Sequence, residues 1–395
     1  MKRVPVQDQT DMKLKNLITV FELLMDKMPV SRAELSKLTG MSPTSITRFI
    51  NGMIGLNLLQ EQPASQKKVG RTAILLSINA SAFYSVGINI DSTCIHVSIL
   101  NFAKKVIADK YQKGYPDSLE FHQVLKIAFD LYEELLDESG LSDEQICGVG
   151  ISLIGVMSDE NTLEYTPQLH WRKINVRQEA IDLFHKENVS VINDCDAAIL
   201  GQAILHREYR EKAVACICIG SGVGSSVMYH NQLMAKPGGV AFSEIGHTIV
   251  EPGGMLCDCG NHGCLQTFIA SGALIKRAQR WDPAVNNMDD IYTAWLHNIS
   301  WAKELIHTAC VYAKVGINNL ACVYNPDIIL IGGENIDLYS DMFQEILQNP
   351  QYLFEPFKDN NMKIVSFFKM YKSSILGVTK QVQENYWKSL LKSIV

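Results

Sequence analysis

Apolar side chains recur at helical spacing near the start of the chain and predict three short helices. In the first helix the apolar positions are 14, 17, 18, 21, 24 and 25. A second helix is predicted to start at Ser31, where Ser-x-x-Glu forms a capping box, and to end near Gly40. Ser42-Pro43 opens the third helix, with serine as N-cap and proline at the first helical position.

The third helix separates an apolar stripe from a polar face. Ile46, Phe49, Ile50 and Met53 belong to the stripe, and a four-residue turn precedes the helix, as in a helix-turn-helix. Hydroxyl groups reach DNA phosphates, and arginine bridges a guanine edge in the major groove. The polar face therefore predicts contact with double-stranded DNA through Ser42, Thr44, Ser45, Thr47, Arg48 and Asn51.

A basic hairpin is predicted after these helices. Residues 58–61 and 73–76 are apolar enough to pair as strands, and the segment between them carries Lys67, Lys68 and Arg71. Such a hairpin would act as the wing of a winged helix-turn-helix. The alternative is a small helical core whose outer face is merely polar. The position of the wing favours a DNA-binding domain over residues 1–79.

From Tyr84 onward the pattern changes to apolar strands that alternate with helices, which predicts an α/β body over residues 80–395. The predicted strands cover 86–90, 94–100, 146–153, 189–192, 214–220, 225–229, 328–331 and 362–368. The predicted helices cover 121–135, a segment that starts at 197, 301–323 and 375–391. Periodicity alone indicates the α/β class and no particular member of it.

Composition favours a globular protein of the cytoplasm. Hydrophobic residues make up 47% of the chain and charged residues 20%. There is no run of about 18 uncharged apolar residues and no apolar signal core at the N-terminus, so we expect no membrane association. Seven of the ten cysteines are scattered, as expected for reduced thiols, and Cys216 and Cys218 fit the core of a strand.

Charge is distributed unevenly along the chain. Residues 1–79 hold eleven Lys and Arg against six Asp and Glu, a net charge of +5, which leaves −11 on the other 316 residues because the total is −6. This difference indicates that only the N-terminal segment meets a polyanion.

The segment from Glu244 to Gln266 contains the clearest candidate for metal binding. Cys257-x-Cys259-x4-Cys264 follows His247 by ten positions, and three thiolates with one imidazole make the usual tetrahedral set of a structural Zn²⁺ site. His262 is a competing fourth ligand. Three free cysteines in a loop are the alternative, but such a cluster in a disulfide-poor chain favours metal.

Glu-x-Gly-His followed by Cys-x-Cys-Gly-x-x-Gly-Cys resembles the ROK family of repressors, open reading frames and sugar kinases. The resemblance implies an actin-like, ribonuclease-H-like body of two lobes, about 80–200 with the C-terminal helix and about 201–370. It also implies that His247 binds zinc through one ring nitrogen and a sugar hydroxyl through the other. A metal-bound imidazole has a fixed tautomer, which makes that second N–H a well-aimed donor.

The resemblance extends to other polar residues of a sugar site. In ROK kinases the residue that matches Asp194 is the general base, and the residue that matches Asn193 binds the sugar ring. From the residues alone, Asp194 fits equally well as the cap of the next helix. Glu244, His247 and Gly155 complete the expected site, although Ile154 replaces a family proline. Gln266 replaces a family glutamate, which adds a donor and removes a charge.

The resemblance to the ROK family also argues against catalysis. ROK kinases cradle nucleotide phosphates with an Asp-x-Gly-Gly-Thr turn, whereas this chain has Asp91-Ser92-Thr93 without either glycine. The glycines at 220, 222, 224, 332 and 333 remain, but glycine loops also form plain turns. ROK kinases also lack an N-terminal DNA-binding domain. We therefore expect no enzyme, with an ATP-dependent ROK sugar kinase as the alternative.

These features together predict a sugar-responsive transcriptional regulator that represses carbohydrate-uptake or catabolism genes. The expected partners are a double-stranded DNA operator and a monosaccharide or sugar-phosphate effector that binds between the lobes. The family and operator symmetry predict a homodimer or a dimer of dimers. A DNA-binding protein that ignores sugars is a further alternative.

Overall fold

The structure is a computed structural model that describes residues 9–63, 74–116, 118–235, 243–348 and 362–395. Its N-terminal part consists of helices followed by a hairpin. The helices are α1 (Gln9–Lys27), α2 (Arg32–Thr39) and α3 (Pro43–Gly55), and the antiparallel strands are β1 (Leu59–Pro63) and β2 (Ile74–Ile78). The predicted wing residues Lys67, Lys68 and Arg71 lie outside the described residues.

Local sequence explains where α2 and α3 begin and end. The Ser31 hydroxyl accepts the Glu34 N–H at 3.2 Å, and the Glu34 carboxylate accepts the Ser31 N–H at 3.4 Å, which closes the predicted capping box. Gly40 ends α2 at φ +69°, a left-handed conformation that glycine adopts without strain. The Ser42 hydroxyl accepts the Ser45 N–H at 3.2 Å and caps α3.

The first large sheet follows the N-terminal part. It contains β3 (Tyr84–Ile90), β4 (Cys94–Asn101), β5 (Val106–Lys113) and β6 (Ile146–Leu153), with α4 (Phe121–Ser139) before β6. A small antiparallel sheet of β7 (Val156–Met157), β8 (Thr162–Tyr165) and β9 (Arg172–Asn175) comes next, then α5 (Val176–Phe184) and β10 (Val189–Asn193). The strand order is β10-β6-β3-β4-β5, with β10, β6 and β3 parallel.

A second sheet has the order β13-β12-β11-β14-β15. Helix α6 (Asp194–Leu205) leads to β11 (Ala213–Ile219), β12 (Val223–Tyr229) and β13 (Gln232–Leu233). The helices α7 (Gln266–Ile269), α8 (Ser271–Ala278), α9 (Met288–Leu296) and α10 (Ser300–Tyr324) precede β14 (Ile328–Gly332), α11 (Glu334–Gln348), β15 (Lys363–Ser366) and α12 (Met370–Leu391).

The predicted α/β fold class is confirmed, and several element boundaries differ from the sequence prediction. Helix α6 begins at Asp194 and not at residue 197, because the Asn193 side chain caps it. Helix α12 begins at Met370 and not at residue 375. Strand β5 and the sheet of β7, β8 and β9 were not predicted. Strand β5 alternates exposed and half-buried side chains, so it lacks an apolar run.

Helix α12, near the C-terminus, packs against both the body and the N-terminal helices. Near its start it crosses α6 in backbone contact, since a Cβ on Gly201 would lie 1.9 Å from the Ser373 carbonyl oxygen. Near its end, Trp387 and Leu391 are buried with Phe21 of α1, and the Phe21 and Trp387 ring centroids lie 4.8 Å apart. The N-terminal helices therefore share a hydrophobic core with the last helix of the body.

Candidate functional site

The candidate site is a cavity of about 150 Å³ between the two large sheets. Its walls come from the loop after β6, the start of α6, the turn from β11 to β12, the segment around Glu244 and the starts of α7 and α11. Carboxyl groups are prominent among the described lining residues: Asp91, Asp159, Glu160, Asp194, Asp196, Glu244 and Glu334. The predicted sugar-binding residues Gly155, Asn193, Asp194, Glu244, His247 and Gln266 all line this cavity.

Asn193 and Asp194 lie where β10 ends and α6 begins. The Asn193 side-chain oxygen accepts the backbone N–H groups of Cys195 and Asp196 at 2.9 and 3.4 Å, so Asn193 is the helix cap. The Asp194 carboxylate accepts the Cys195 N–H at 2.9 Å. Asn193 thus takes the capping role that the sequence left open for Asp194, and the Asp194 carboxyl remains at the cavity wall.

Gly155 occupies a position that only glycine fits. Its φ is +119°, and a Cβ there would lie 2.7 Å from Thr166 Cγ2 and 2.8 Å from the Tyr165 carbonyl oxygen. The Gly155 carbonyl accepts a hydrogen bond from the Asn193 side-chain amide at 3.0 Å. This bond joins the loop after β6 to the cap of α6, so the two walls of the cavity are held together.

Glu244, His247 and Gln266 lie on the wall that the second sheet contributes. His247 belongs to a short 3₁₀ turn, Ile245–His247, which Glu244 precedes. Gln266 is the first residue of α7, and its side-chain oxygen accepts the Val223 N–H at 3.4 Å. That bond uses the acceptor of the Gln266 amide and leaves its donor N–H₂ near the cavity.

Four potential metal ligands converge beside the cavity. The ligand atoms of His247, Cys257, Cys259 and Cys264 all lie within 4.8 Å of one another. Cys257 Sγ is 3.6 Å from His247 Nδ1, and the Sγ atoms of Cys259 and Cys264 are also 3.6 Å apart. This spacing is too long for a disulfide, and it matches the roughly 3.8 Å edge of a tetrahedron with Zn–S bonds of about 2.3 Å. The donor set therefore fits Zn²⁺.

His262 is not part of this group. Its Nδ1 donates to the Gly254 carbonyl at 3.0 Å, and the side chain is exposed. The loop folds tightly because Gly263 has φ +72° and approaches Glu251 so closely that a Cβ would lie 1.7 Å from the Glu251 carbonyl oxygen. His247 thus borders both the cavity and the cysteine cluster, with Nδ1 on the side of Cys257.

The acids of the cavity interact with one another. Desolvation by burial, together with the neighbouring Asp91, raises the pKa of Asp194 to about 7. Desolvation also raises the pKa of Asp196 to about 7, and Glu244 adds to this shift. Burial raises the pKa of Asp91 and of Glu334. A carboxyl that is partly protonated near neutral pH can donate as well as accept hydrogen bonds, which suits a ligand rich in hydroxyl groups.

Sequence reasoning did not identify Asp196, Glu334 and Gln168 as cavity residues. An acidic residue in the first turn of a helix is common, so the local sequence offered no reason to assign Asp196 to the cavity. Glu334 directly follows the Gly332-Gly333 pair, and that pair is the sequence feature that could have indicated a cavity residue here. Gln168 lies on a loop, where its side-chain amide is so close to Gly222 that a Cβ there would be 2.6 Å away. Nothing in the local sequence points to it.

The turn from Asp91 to Thr93, which the resemblance predicts to match the kinase phosphate loop, is held by side-chain hydrogen bonds. The Asp91 carboxylate accepts the Ser92 N–H at 2.6 Å, and the Thr93 hydroxyl donates to the Glu334 carboxylate at 3.0 Å. The backbone N–H of Ser92 is therefore already bonded within the turn.

The candidate DNA-binding residues of α3 form a separate face. Thr44, Thr47, Arg48 and Asn51 are exposed, whereas the Ser42 hydroxyl is engaged with the backbone and hydroxyl of Ser45 at 3.2 and 3.0 Å. The opposite side of α3, with Ile46 and the rest of the stripe, is buried. Within the described residues, no helix combines the length and apolarity needed to cross a membrane.

The two sheets, the polar cavity between them and the Cys₃His loop define an α/β protein with a polar cleft and four side chains that could hold a metal ion. The model of the ROK family matches residues 85–384, and the chain belongs to this family. The resemblance predicted from the sequence is thereby confirmed.

Relatives of the chain are named as repressors, and similar structures include kinases. The xylose repressor of Bacillus spizizenii is 24% identical over 381 residues, which cover 96% of this chain and 98% of the relative. A ROK family transcriptional regulator, described as a homologue of the Escherichia coli Mlc protein, is similar in structure with a TM-score of 0.79 at 20% identity and covers 97% of this chain and 99% of its own. A ROK family glucokinase from Streptomyces griseus has a TM-score of 0.61 at 20% identity, and the match covers 75% of this chain and 98% of the glucokinase chain.

Proposed function

We propose that the protein is a sugar-responsive transcriptional regulator that represses genes of carbohydrate uptake or catabolism. The observation that carries this proposal is the placement of α12: its first residue, Met370, lines the cavity, and its last turns are buried in the core of the N-terminal helices. The relatives of nearly full length that are named as repressors support it. Residues 1–79 form the DNA-binding domain in this proposal, and residues 80–395 form the sugar-binding body, in the two lobes predicted above.

The DNA contacts assigned to α3 follow from exposure and chemistry. Thr44, Thr47, Arg48 and Asn51 face solvent, and the serines at 42 and 45 lie at the helix N-terminus, where backbone N–H groups also favour phosphate. Arg48 is the residue suited to reading a guanine edge. Lys67, Lys68 and Arg71 are assigned to the wing on sequence alone.

The sugar site is proposed to use paired hydrogen bonds to ring hydroxyls. Asp194 and Glu244 supply acceptors, and Asn193 and Gln266 supply amide donors beside the cavity. Gly155 lets the loop after β6 approach the ring without a side chain. Each unpaired buried polar group would cost about 1–3 kcal/mol, so a ligand that pairs all of them is strongly preferred over one that does not.

His247, Cys257, Cys259 and Cys264 are the residues that would hold Zn²⁺. Bound there, the ion supplies structural cross-linking of the loop and fixes the imidazole tautomer. His247 Nδ1 faces Cys257, which leaves Nε2 as a hydrogen-bond donor toward a sugar hydroxyl.

Coupling between the sites is proposed to pass through α6 and α12. The Ser374 hydroxyl of α12 donates to the Asp194 carbonyl at 3.0 Å, so α12 is bonded directly to the start of α6. A sugar that favours one closure of the two sheets would shift α12 and the helices attached to it. In a homodimer, or a dimer of dimers, this changes the relative placement of two DNA-binding domains.

A sugar kinase is the second candidate function, and the similarity of the fold to ROK kinases favours it. The hydrogen bond between Thr93 and Glu334 argues against it, because it places a carboxylate beside the turn that the resemblance assigns to the nucleotide phosphates, which need donors or a cation. We therefore infer that the protein is not an enzyme. An assay of ATP turnover with hexoses, with Asp194→Asn as control, separates the two functions.

The direct test is binding of the purified protein to its own promoter fragment, measured by fluorescence anisotropy. Arg48→Ala should weaken DNA binding by about 1–3 kcal/mol, whereas Lys126→Ala, an exposed cation of α4, should not. Binding should fall steeply with salt and change when the effector sugar is added. Failure to bind any promoter fragment would refute the proposal.

A further inference from the structure

Helix α1 ends against a short turn that follows α6. This turn is the 3₁₀ segment Arg207–Tyr209, and Arg210 comes directly after it. Arg207 Nη1 donates to the Asp26 carbonyl at 2.9 Å, and Arg210 Nη1 donates to the Asp26 carboxylate at 3.1 Å. Two arginines that are close in sequence therefore converge on one residue in the last turn of α1.

Arg210 also bonds to the end of α6. Its Nε donates to the Ala203 carbonyl, in the last turn of α6, at 3.0 Å. One guanidinium thus contacts the C-terminal ends of two helices. The last four carbonyl groups of a helix lack an intrahelical partner and carry partial negative charge. The planar fork of arginine, with its five N–H donors, suits it to join two such ends at once.

Helix α6 leads from the cavity to this contact. Asp194 and Asp196, in its first turn, line the cavity. The helix has 12 residues, so its far end lies about 18 Å from its first residue. Residues 195–203 are all buried, which means that α6 is packed along most of its length. A packed helix shifts as a unit, so a displacement at the cavity also displaces the end that Arg210 holds.

The contact with the arginines is separate from the hydrophobic core that α1 shares with α12. Phe21 packs on Trp387 in that core. Asp26 lies five residues after Phe21, about 7.5 Å farther along α1. A helix that is held at one point can pivot, whereas a helix held at two points has a fixed direction. Because α2 and α3 share the core of α1, fixing α1 also orients the helices assigned to DNA.

A third cation contacts Asp26 but joins no second segment. Lys27 Nζ lies 3.1 Å from an Asp26 carboxylate oxygen, and Lys27 belongs to the same helix and is 53% exposed. The side chains of Arg210 and Asp26 are 28% and 38% exposed, so their ion pair adds little to overall stability. The property that depends on the arginines is therefore the orientation of α1 and not the folding of the chain.

We propose that Arg207 and Arg210 are positioning residues that hold α1 to the end of α6 and pass movements of α6 to the DNA-binding helices. The proposal rests on the proposed function and assigns its regulation to two residues outside the cavity. Closure of the two sheets around a ligand displaces α6, and the arginines turn that displacement into a new direction of α1.

The first test compares the Arg207→Ala/Arg210→Ala double variant with the wild type, both full-length and zinc-loaded. Binding to the promoter fragment is measured by fluorescence anisotropy with and without D-xylose, D-glucose or N-acetyl-D-glucosamine, and sugar affinity by calorimetry. In the double variant, sugar affinity and the DNA affinity measured with sugar relative to that without should each change by no more than about twofold. Lys27→Ala, the matched control, removes a cation from the same carboxylate and should keep the wild-type sugar response.

The second test measures orientation directly and needs no sugar. Fluorophores are attached through unnatural amino acids at positions 37 and 133, which are exposed on α2 and α4, and single-molecule energy transfer reports the distance between them. The distribution of transfer efficiency should be narrow in the wild type and in Lys27→Ala, and it should broaden in the double variant. An ordinary surface ion pair would leave this distribution unchanged.

The results separate this proposal from the proposed function. A double variant that keeps either the wild-type distribution or the full sugar response overturns the role of the two arginines. If the distribution broadens as expected but no sugar alters DNA binding of the wild type, the arginines still position α1, and the sugar-responsive function is the part that fails.

Discussion

Replacing Trp387 by alanine should separate DNA binding from sugar binding. Trp387 is 4% exposed and lies in a hydrophobic cluster with Phe21, Phe102 and Leu391, so its indole joins the N-terminal helices to the end of α12. Removal of a buried tryptophan costs about 3–5 kcal/mol. Trp387 lies 17 residues after the first residue of α12, about 25 Å along the helix axis, so that cost falls on the contact between the N-terminal helices and the body and not on the end of α12 at the cavity.

Calorimetric unfolding, sugar titration and DNA binding test this prediction together. Trp387→Ala should lower the unfolding temperature of the N-terminal part, weaken DNA binding and abolish the response of DNA binding to sugar. Sugar affinity should stay within about twofold of the wild type. Trp281→Ala is the matched control, since Trp281 is 49% exposed and stacks on Trp301 away from this cluster. A Trp387→Ala protein that keeps the full sugar response would refute coupling through α12.

Three further predictions concern the cavity and the metal loop. Burial raises the pKa of Asp194 and Asp196 from the ordinary value of 3.8 to about 7, so the stability that these two groups contribute should be full below pH 3.8 and lost as pH rises to about 7. Asp194→Asn should flatten this loss in thermal melts. Gly155→Ala should lower the free energy of unfolding, measured by chemical denaturation, by about 1–3 kcal/mol or more and should weaken sugar binding. Gly272→Ala is the control: a Cβ there meets open space, so this change should not lower the free energy of unfolding. Cys259→Ser should abolish zinc content by atomic absorption and destabilise the body; normal stability without metal would contradict the zinc assignment.

Local sequence was sufficient to predict the features that depend on local chemistry. The capping box at Ser31, the N-cap at Ser42 and the left-handed Gly40 follow from residues within one turn, and the structure has all three. The metal-ligand cluster of the Cys-rich loop could also be predicted, because the spacing of ligands within a short segment determines which side-chain atoms can come together. The structure brings His247 to the thiols, as the prediction stated.

Features that depend on contacts between distant segments could not be predicted in this way. Glu334 reaches Thr93 across 241 positions of sequence, and no local pattern encodes that meeting. The burial of Trp387 and Leu391 against α1 joins residues from opposite ends of the chain. A helix was predicted at each end of the chain, but the local sequence does not indicate which partner buries it.

Reciprocal binding measurements on one protein sample test the proposed linkage most directly. If sugar and DNA are coupled by about 1–3 kcal/mol, saturating sugar should change the DNA dissociation constant by about 5- to 150-fold. Saturating DNA must then change the sugar dissociation constant by the same factor. Equal factors would support a regulator in which the cleft and the DNA-binding face share one conformational equilibrium. A sugar that binds tightly while leaving DNA affinity unchanged would contradict it.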